Sequence, residues 1–217
     1  MNILEKIVTI GFPPNQYKRE EFNKSQIVLH HTVSGRGVKG DINWWLTDPK
    51  RIATCIIIGH DGVPYQMFSS RFWAWHIGVK GKADLEKHSI GIEIDSWGPL
   101  YKTKKGVFYP VKYTKKGYRP DTTRSSVIAE DVIEYADGYR GFQYYEKYTQ
   151  QQIETVVELV RYWAKKYKIS VSYNRDMWDV SERALAGSPG VWSHTSFRKN
   201  KSDIHPYPPL IEALKSL

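Results

Sequence analysis

Cysteine is nearly absent: Cys55 stands alone among 217 residues. A single cysteine excludes an intramolecular disulfide framework and any four-cysteine zinc module. Long apolar runs are missing too. The longest candidates, Ile27 to Leu29 and Cys55 to Ile58, are strand-sized and fall far short of the roughly 18 residues a membrane span needs. Gly35-Arg36-Gly37 lacks the flanking pattern of a phosphate loop or a dinucleotide fingerprint. At the N-terminus, Glu5 and Lys6 interrupt a short apolar stretch with no basic segment before it and no small-residue cleavage site after it, so no secretory signal is expected. Acidic residues are outnumbered, 23 Asp and Glu against 32 Lys and Arg, for a net charge of +9. That surplus favours an anionic partner and leaves nucleic acid, an acidic membrane surface and an acidic cell-wall polymer open.

The remaining composition is that of an ordinary folded protein, 41% hydrophobic and 25% charged. Residues 1 to 25 mix charge with Pro13-Pro14 and read as an arm leading into a domain that spans 26 to 217. Gln26 to Thr32 reads as a buried strand, and a short helix is expected over Lys39 to Leu46, stopped by Asp48-Pro49. Ala53 to Ile58 and Val63 to Phe68 read as a hairpin around His60-Asp61-Gly62. Ser89 to Asp95 alternates, with Ile90, Ile92 and Ile94 on the face expected to be buried and Glu93 on the other. From 97 to 148 the pattern loosens into a Lys- and Tyr-rich insertion of hairpins and loops. Thr149 and Gln152 form a capping box for a helix over Gln150 to Tyr167, with Ile153, Val156, Val157, Val160, Ala164 and Tyr167 as its apolar stripe. A terminal helical turn is expected at Leu210 to Leu217. Without repeat or linker, one α/β domain with a central mixed sheet flanked by helices is the economical fold.

Chemistry gathers around histidine. His30 and His31 end a hydrophobic strand, and strand alternation lets only one of them face a given side; spacing alone does not say which. Ser193 to Pro206 packs His194, Lys201, Asp203 and His205 into a stretch that also suits a solvated loop. A catalytic zinc site wants three protein ligands and an open position, and His30, His194 and Asp203 would supply such a set. Cys55, set among strand isoleucines, reads as an inert buried thiol.

Six segments occur in the order of one known family: IVLHHT at 27 to 32, IIIGHDGVPYQ at 56 to 66, AWHIG at 74 to 78, HSIGIEI at 88 to 94, YTQQQIETVVELV at 148 to 160 and WSHTSFRKNKSD at 192 to 203. The chain resembles the zinc-dependent N-acetylmuramoyl-L-alanine amidases of the type 2 family, which includes bacteriophage endolysins and peptidoglycan recognition proteins. The resemblance implies one Zn2+ per chain on His30, His194 and Asp203, a position where relatives use Cys or Asp. It makes Lys201 the stabiliser of an oxyanion, Glu93 the general base, and Trp75 with His76 a substrate-lining pair. A tyrosine that some members carry on the second strand is replaced here by Thr54 or Cys55.

The implied activity is cleavage of the amide between N-acetylmuramic acid and the L-alanine of the stem peptide. A monomeric phage endolysin is expected, made in a bacterial cytoplasm and reaching the wall after membrane permeabilisation, with peptidoglycan and not nucleic acid as its partner. A non-catalytic peptidoglycan binder of the same fold is the alternative, and a nucleic-acid binder using the insertion the more distant one. Lys102, Lys104, Lys105, Lys115 and Lys116 are expected to form a wall-contacting surface at one rim of the cleft.

Overall fold

β-branched and aliphatic runs build the sheet at the centre of the molecule, and the computed structural model describes residues 3–115 and 117–217. Lys116, one of the expected wall-contacting lysines, lies outside the described residues. In chain order the elements are α1 (Ile3–Lys6), β1 (Val8–Thr9), β2 (Gln26–His31), α2 (Lys39–Thr47), β3 (Ile56–Ile58), β4 (Pro64–Gln66), α3 (Ala83–Lys87) and β5 (Ser89–Ile94). There follow β6 (Pro99–Lys102), β7 (Phe108–Thr114), β8 (Gly117–Pro120), β9 (Val132–Tyr139), β10 (Phe142–Glu146), α4 (Gln150–Tyr167), α5 (Glu182–Leu185), β11 (Gly190–Ser193) and α6 (Pro208–Lys215).

Six strands form a mixed sheet in the order β1-β4-β3-β5-β2-β11. β3, β5, β2 and β11 run parallel, and β4 returns antiparallel beside β3. Every residue of β2 and of β5 is buried. Alternation had suggested one open face for β5; in the structure other elements cover both faces, as parallel strands usually require. The register puts His30 beside Glu93 and His31 beside Ile94, so His30 and Glu93 share one sheet face and His31 the other.

The segment before β2 is tied into the body of the protein. β1 pairs with β4, and Ile3 and Phe12 are part of the main core. α4 begins with both hydrogen bonds of the capping box, Thr149 and Gln152 each bonding the other's backbone N–H. Its buried face carries Ile153, Val156, Leu159, Val160 and Trp163, rotated from the expected stripe; Val157 and Ala164 sit at the margin. Two polar residues cause the rotation by going inward. Gln152 donates to the Asp95 carbonyl at 2.7 Å and Thr155 to that of Gly62 at 2.7 Å, so their burial leaves no unpaired donor. Burying each of the large apolar side chains of this face contributes about 1.5–3 kcal/mol.

Residues 97 to 148 hold a second, antiparallel sheet in the order β8-β7-β6-β10-β9. It has apolar clusters of its own, one of Trp97, Leu100, Phe108, Val127 and Val132, the other of Val111, Phe142 and Tyr145.

Candidate metal centre and cleft

β2 delivers His30, and β11 runs alongside it with Ser193 paired to Leu29, so that His194, the next residue, emerges beside His30. The loop beyond returns Asp203 to the same point. The His30 and His194 Nδ1 atoms lie 2.9 Å apart, and Asp203 Oδ2 is 3.2 Å from the first and 2.8 Å from the second. All three residues are buried. Ligands of a tetrahedral zinc with bonds of about 2.1 Å stand about 3.4 Å apart, so this triangle fits the ion after a few tenths of an ångström of expansion.

Outer contacts orient the two rings. His194 Nε2 lies 2.8 Å from the Ile77 carbonyl, an acceptor only, which puts the proton on Nε2 and leaves the Nδ1 lone pair facing the triangle. His30 Nε2 lies 3.0 Å from His76 Nδ1, and His76 Nε2 2.8 Å from Ser89 Oγ. A single direction of donation along that chain frees His30 Nδ1 in the same way. The Glu86 carboxylate accepts from the backbone N–H groups of His76, Ile77 and Gly78 at 2.7–2.9 Å, holding in place the segment that serves both histidines. A Cβ at Gly91 would come within 2.8 Å of the Thr54 methyl and 3.1 Å of His76 Nδ1, so only glycine leaves room for this ring.

Charge states suit a cation. Burial, then His194, pulls His30 down to about 4, with Asp203 opposing. Burial alone would raise Asp203, but His194 and His30 outweigh it and hold the carboxyl well below its ordinary value. A neutral imidazole, as at His30, and a carboxylate, as at Asp203, are forms that ligate zinc.

The triangle opens into a cavity of about 410 Å³ that Glu93, Lys201, Thr54, Asp41 and Trp44 also line. Glu93 is buried and makes no side-chain hydrogen bond among the described residues; burial, Asp203 and Asp41 push its carboxyl well above the usual range, and Lys201 offsets part of this. Asp41 accepts from Ser34 at 2.9 Å. Trp44, on α2, is 56% exposed at the rim.

Of the two alternative ligands, His31 lies 2.9 Å from the Tyr148 hydroxyl, and its Nε2 has no partner among the described residues. His205 is held by the Tyr135 hydroxyl at 2.7 Å and the Glu146 carbonyl at 3.0 Å. Neither joins the triangle. Trp75, expected to line the cleft, stands outside the cavity because its backbone bridges to Ile52 and its ring packs edge-on against Trp73. His76 borders the cavity, but both its ring nitrogens are engaged behind His30. Sequence reasoning passed over Asp41, Trp44 and Glu86; the i, i+3 spacing of Asp41 and Trp44 on a short helix was the available signal for the first two.

The insertion reaches the residues next to this centre. The Tyr139 hydroxyl lies 3.0 Å from the Trp178 carbonyl, 3.1 Å from Thr195 Oγ1 and 3.2 Å from the Ile204 carbonyl, touching the neighbours of both His194 and Asp203. Arg140 donates to the Thr195 carbonyl at 3.3 Å and to Asp179 at 2.8 Å.

The N-acetylmuramoyl-L-alanine amidase family model matches residues 22–206. The chain belongs to this family. It is a peptidoglycan amidase, and its fold is that of solved relatives. PlyL is 14% identical, with 96% of each chain covered and a TM-score of 0.54. A mutant endolysin from Bacillus subtilis is 14% identical over 97% of this chain and 96% of the other, TM-score 0.54. The catalytic domain of XlyA is 12% identical over 96% and 98%, TM-score 0.53. At such identities the likeness speaks for the fold. None of the curated proteins compared matches the amidase significantly. Among its described helices, none is long and apolar enough to cross a membrane.

Proposed function

We propose that the amidase hydrolyses the amide between N-acetylmuramic acid and the L-alanine of the stem peptide, with one zinc ion on His30, His194 and Asp203, as a phage endolysin acting in host lysis. The observation that carries this reading is the convergence of two Nδ1 atoms and one carboxylate oxygen within 3.2 Å of one another, in a cavity that also holds Glu93 and Lys201. When bound, zinc supplies a Lewis acid that polarises the scissile carbonyl and acidifies water.

The chain's own groups do the rest. Glu93, on the same sheet face as His30, takes a proton from the attacking water and delivers it to the alanine nitrogen as the carbon–nitrogen bond breaks, leaving a carboxylate and a free amine. Lys201 places a cation where the carbonyl oxygen gains negative charge. Asp203 stays anionic and neutralises part of the metal's charge. Trp44 offers an exposed ring at the rim for a sugar face.

Purified protein incubated with peptidoglycan, with and without chelator, tests the proposal. New L-alanine amino termini on intact glycan strands, lost on chelation, are expected by mass spectrometry. New reducing sugars would sink it, and wall binding without any product would mark a non-catalytic binder.

A further inference from the structure

The second sheet carries an aromatic row that the cleft does not use. Cross-strand register pairs Tyr113 with Tyr118 and Tyr101 with Tyr109, and alternation along β7 puts Tyr109 and Tyr113 on one face. Tyr113 is 60% and Tyr118 52% exposed. Their rings meet edge to face at 4.8 Å, and Tyr118 lies 4.7 Å from Phe142. Phe142 meets Tyr145 at 6.3 Å, and Tyr145 stacks on His205 at 4.7 Å, two residues from Asp203. The row therefore runs from the ligand loop to solvent. Burial, Tyr118 and Asp203 all raise the Tyr113 phenol, in keeping with that proximity.

Charge is arranged around the row. Residues 101 to 124 hold eight Lys and Arg against Asp121 alone, whereas Glu130, Asp131, Glu134 and Asp137 cluster at β9 and the turn before it. Lys104, Lys105 and Lys115 sit in turns bordering the tyrosine face; Lys112 and Arg119 pair with each other on the opposite face.

We propose that Tyr113 and Tyr118 form a saccharide-stacking subsite that holds an uncleaved stretch of glycan strand while the cleft works on one stem peptide. The inference rests on the peptidoglycan reading above. The two rings, set edge to face with Tyr118 also against Phe142, offer apolar ring surface to pyranose rings at little cost in conformational freedom. Lys104, Lys105 and Lys115 meet the carboxylates of neighbouring stem peptides, a contribution that salt screens. Continuity with the ligand loop favours a glycan over single-stranded nucleic acid, which such rings also stack.

Titration with soluble multi-unit peptidoglycan strands, beside turnover of a single disaccharide-peptide, tests the subsite. Tyr113→Ala with Tyr118→Ala should weaken strand binding about tenfold at both low and high salt and raise KM on strands. The kcat, and turnover of the single unit, should stay within twofold. Tyr113→Phe with Tyr118→Phe keeps the rings and should bind as the parent does, with the same unfolding temperature. Neutralising Lys104, Lys105 and Lys115 should weaken strand binding only at low salt. Unchanged strand affinity in the alanine pair, an equal loss in the phenylalanine pair, an equal fall in single-unit turnover, or tighter binding of single-stranded DNA than of strands would each overturn the proposal. Hydrolysis of neither substrate by the parent protein would instead refute the amidase reading, and strand binding would still be read directly.

Discussion

Glu93 and Lys201 line the same cavity as the ligand triangle without belonging to it, so chemistry and metal binding separate by substitution. Glu93→Gln keeps the size of the side chain and removes the base; zinc content should persist while kcat falls by about 10²–10⁴. Lys201→Met should cost about 10²–10³. If both act in one transition state, as proposed, the double variant should lose less than the product of the single effects. Near-native turnover by zinc-loaded Glu93→Gln would move the base elsewhere. Glu86 is a different case, since it touches backbone and not substrate. Its carboxylate holds residues 76–78, whose Ile77 carbonyl and His76 ring orient the two histidines. Glu86→Gln should therefore weaken zinc binding by about 10- to 100-fold in competition with a chromophoric chelator. Lost stability at unchanged zinc affinity would reduce Glu86 to a packing role.

Among the elements, the β9–β10 hairpin links the insertion to the ligand loop, because Tyr139 at its turn contacts Thr195 and Ile204, the neighbours of His194 and Asp203. Tyr139→Phe keeps the ring in place and removes those contacts. Zinc affinity should fall by about tenfold, and the absorption bands of a cobalt-substituted sample should shift, a change that loss of stability alone does not produce. Element boundaries also show what a linear pattern can carry. The start of α4 at Gln150 was legible because the capping box marks it locally; its end, expected near Tyr167, is closed in the structure by a left-handed Lys168. Its buried face was not legible, since the partners of Gln152 and Thr155 come from residues 57 and 93 positions away.

For the molecule as a whole, the proposed ligands, from β2 and from the loop after β11, would tie distant parts of the chain to one ion. Zinc at about 100 times its Kd should add about 2.7 kcal/mol, or about 5–10 °C in Tm, and His30→Ala should abolish the difference between loaded and chelated samples. A second whole-molecule property is acid–base. Burial is the main cause that raises Asp95 to about 7; Asp41 and Glu146 add to it, and the Gly37 N–H opposes it. A carboxyl raised on folding binds its proton more tightly in the native state. Its contribution is thus full below the unfolded value of about 4 and is lost as pH rises through about 7. Asp95→Asn should gain on the parent by about 1–3 kcal/mol between pH 4 and pH 8 in urea unfolding. A gap that does not change with pH would show that Asp95 titrates normally.

Strand and helix identity, the helix caps, the inert Cys55, pushed up to about 12 by burial, and the family's ordered motifs all followed from residues close together in the chain. So did the composition of the insertion, though not its sheet. The family resemblance pointed to His30 over His31, but a physical reason needed the β2–β5 register, because adjacent strand residues face opposite ways and nothing local says which side the site is on. Glu86 carried no local signal, because its role comes from three backbone N–H groups of residues 76–78 that close around its carboxylate. His30 meets His194 and Asp203 across 164 and 173 residues of chain. Contacts at such separations depend on how the strands are ordered in the sheet, which only the packed structure decides.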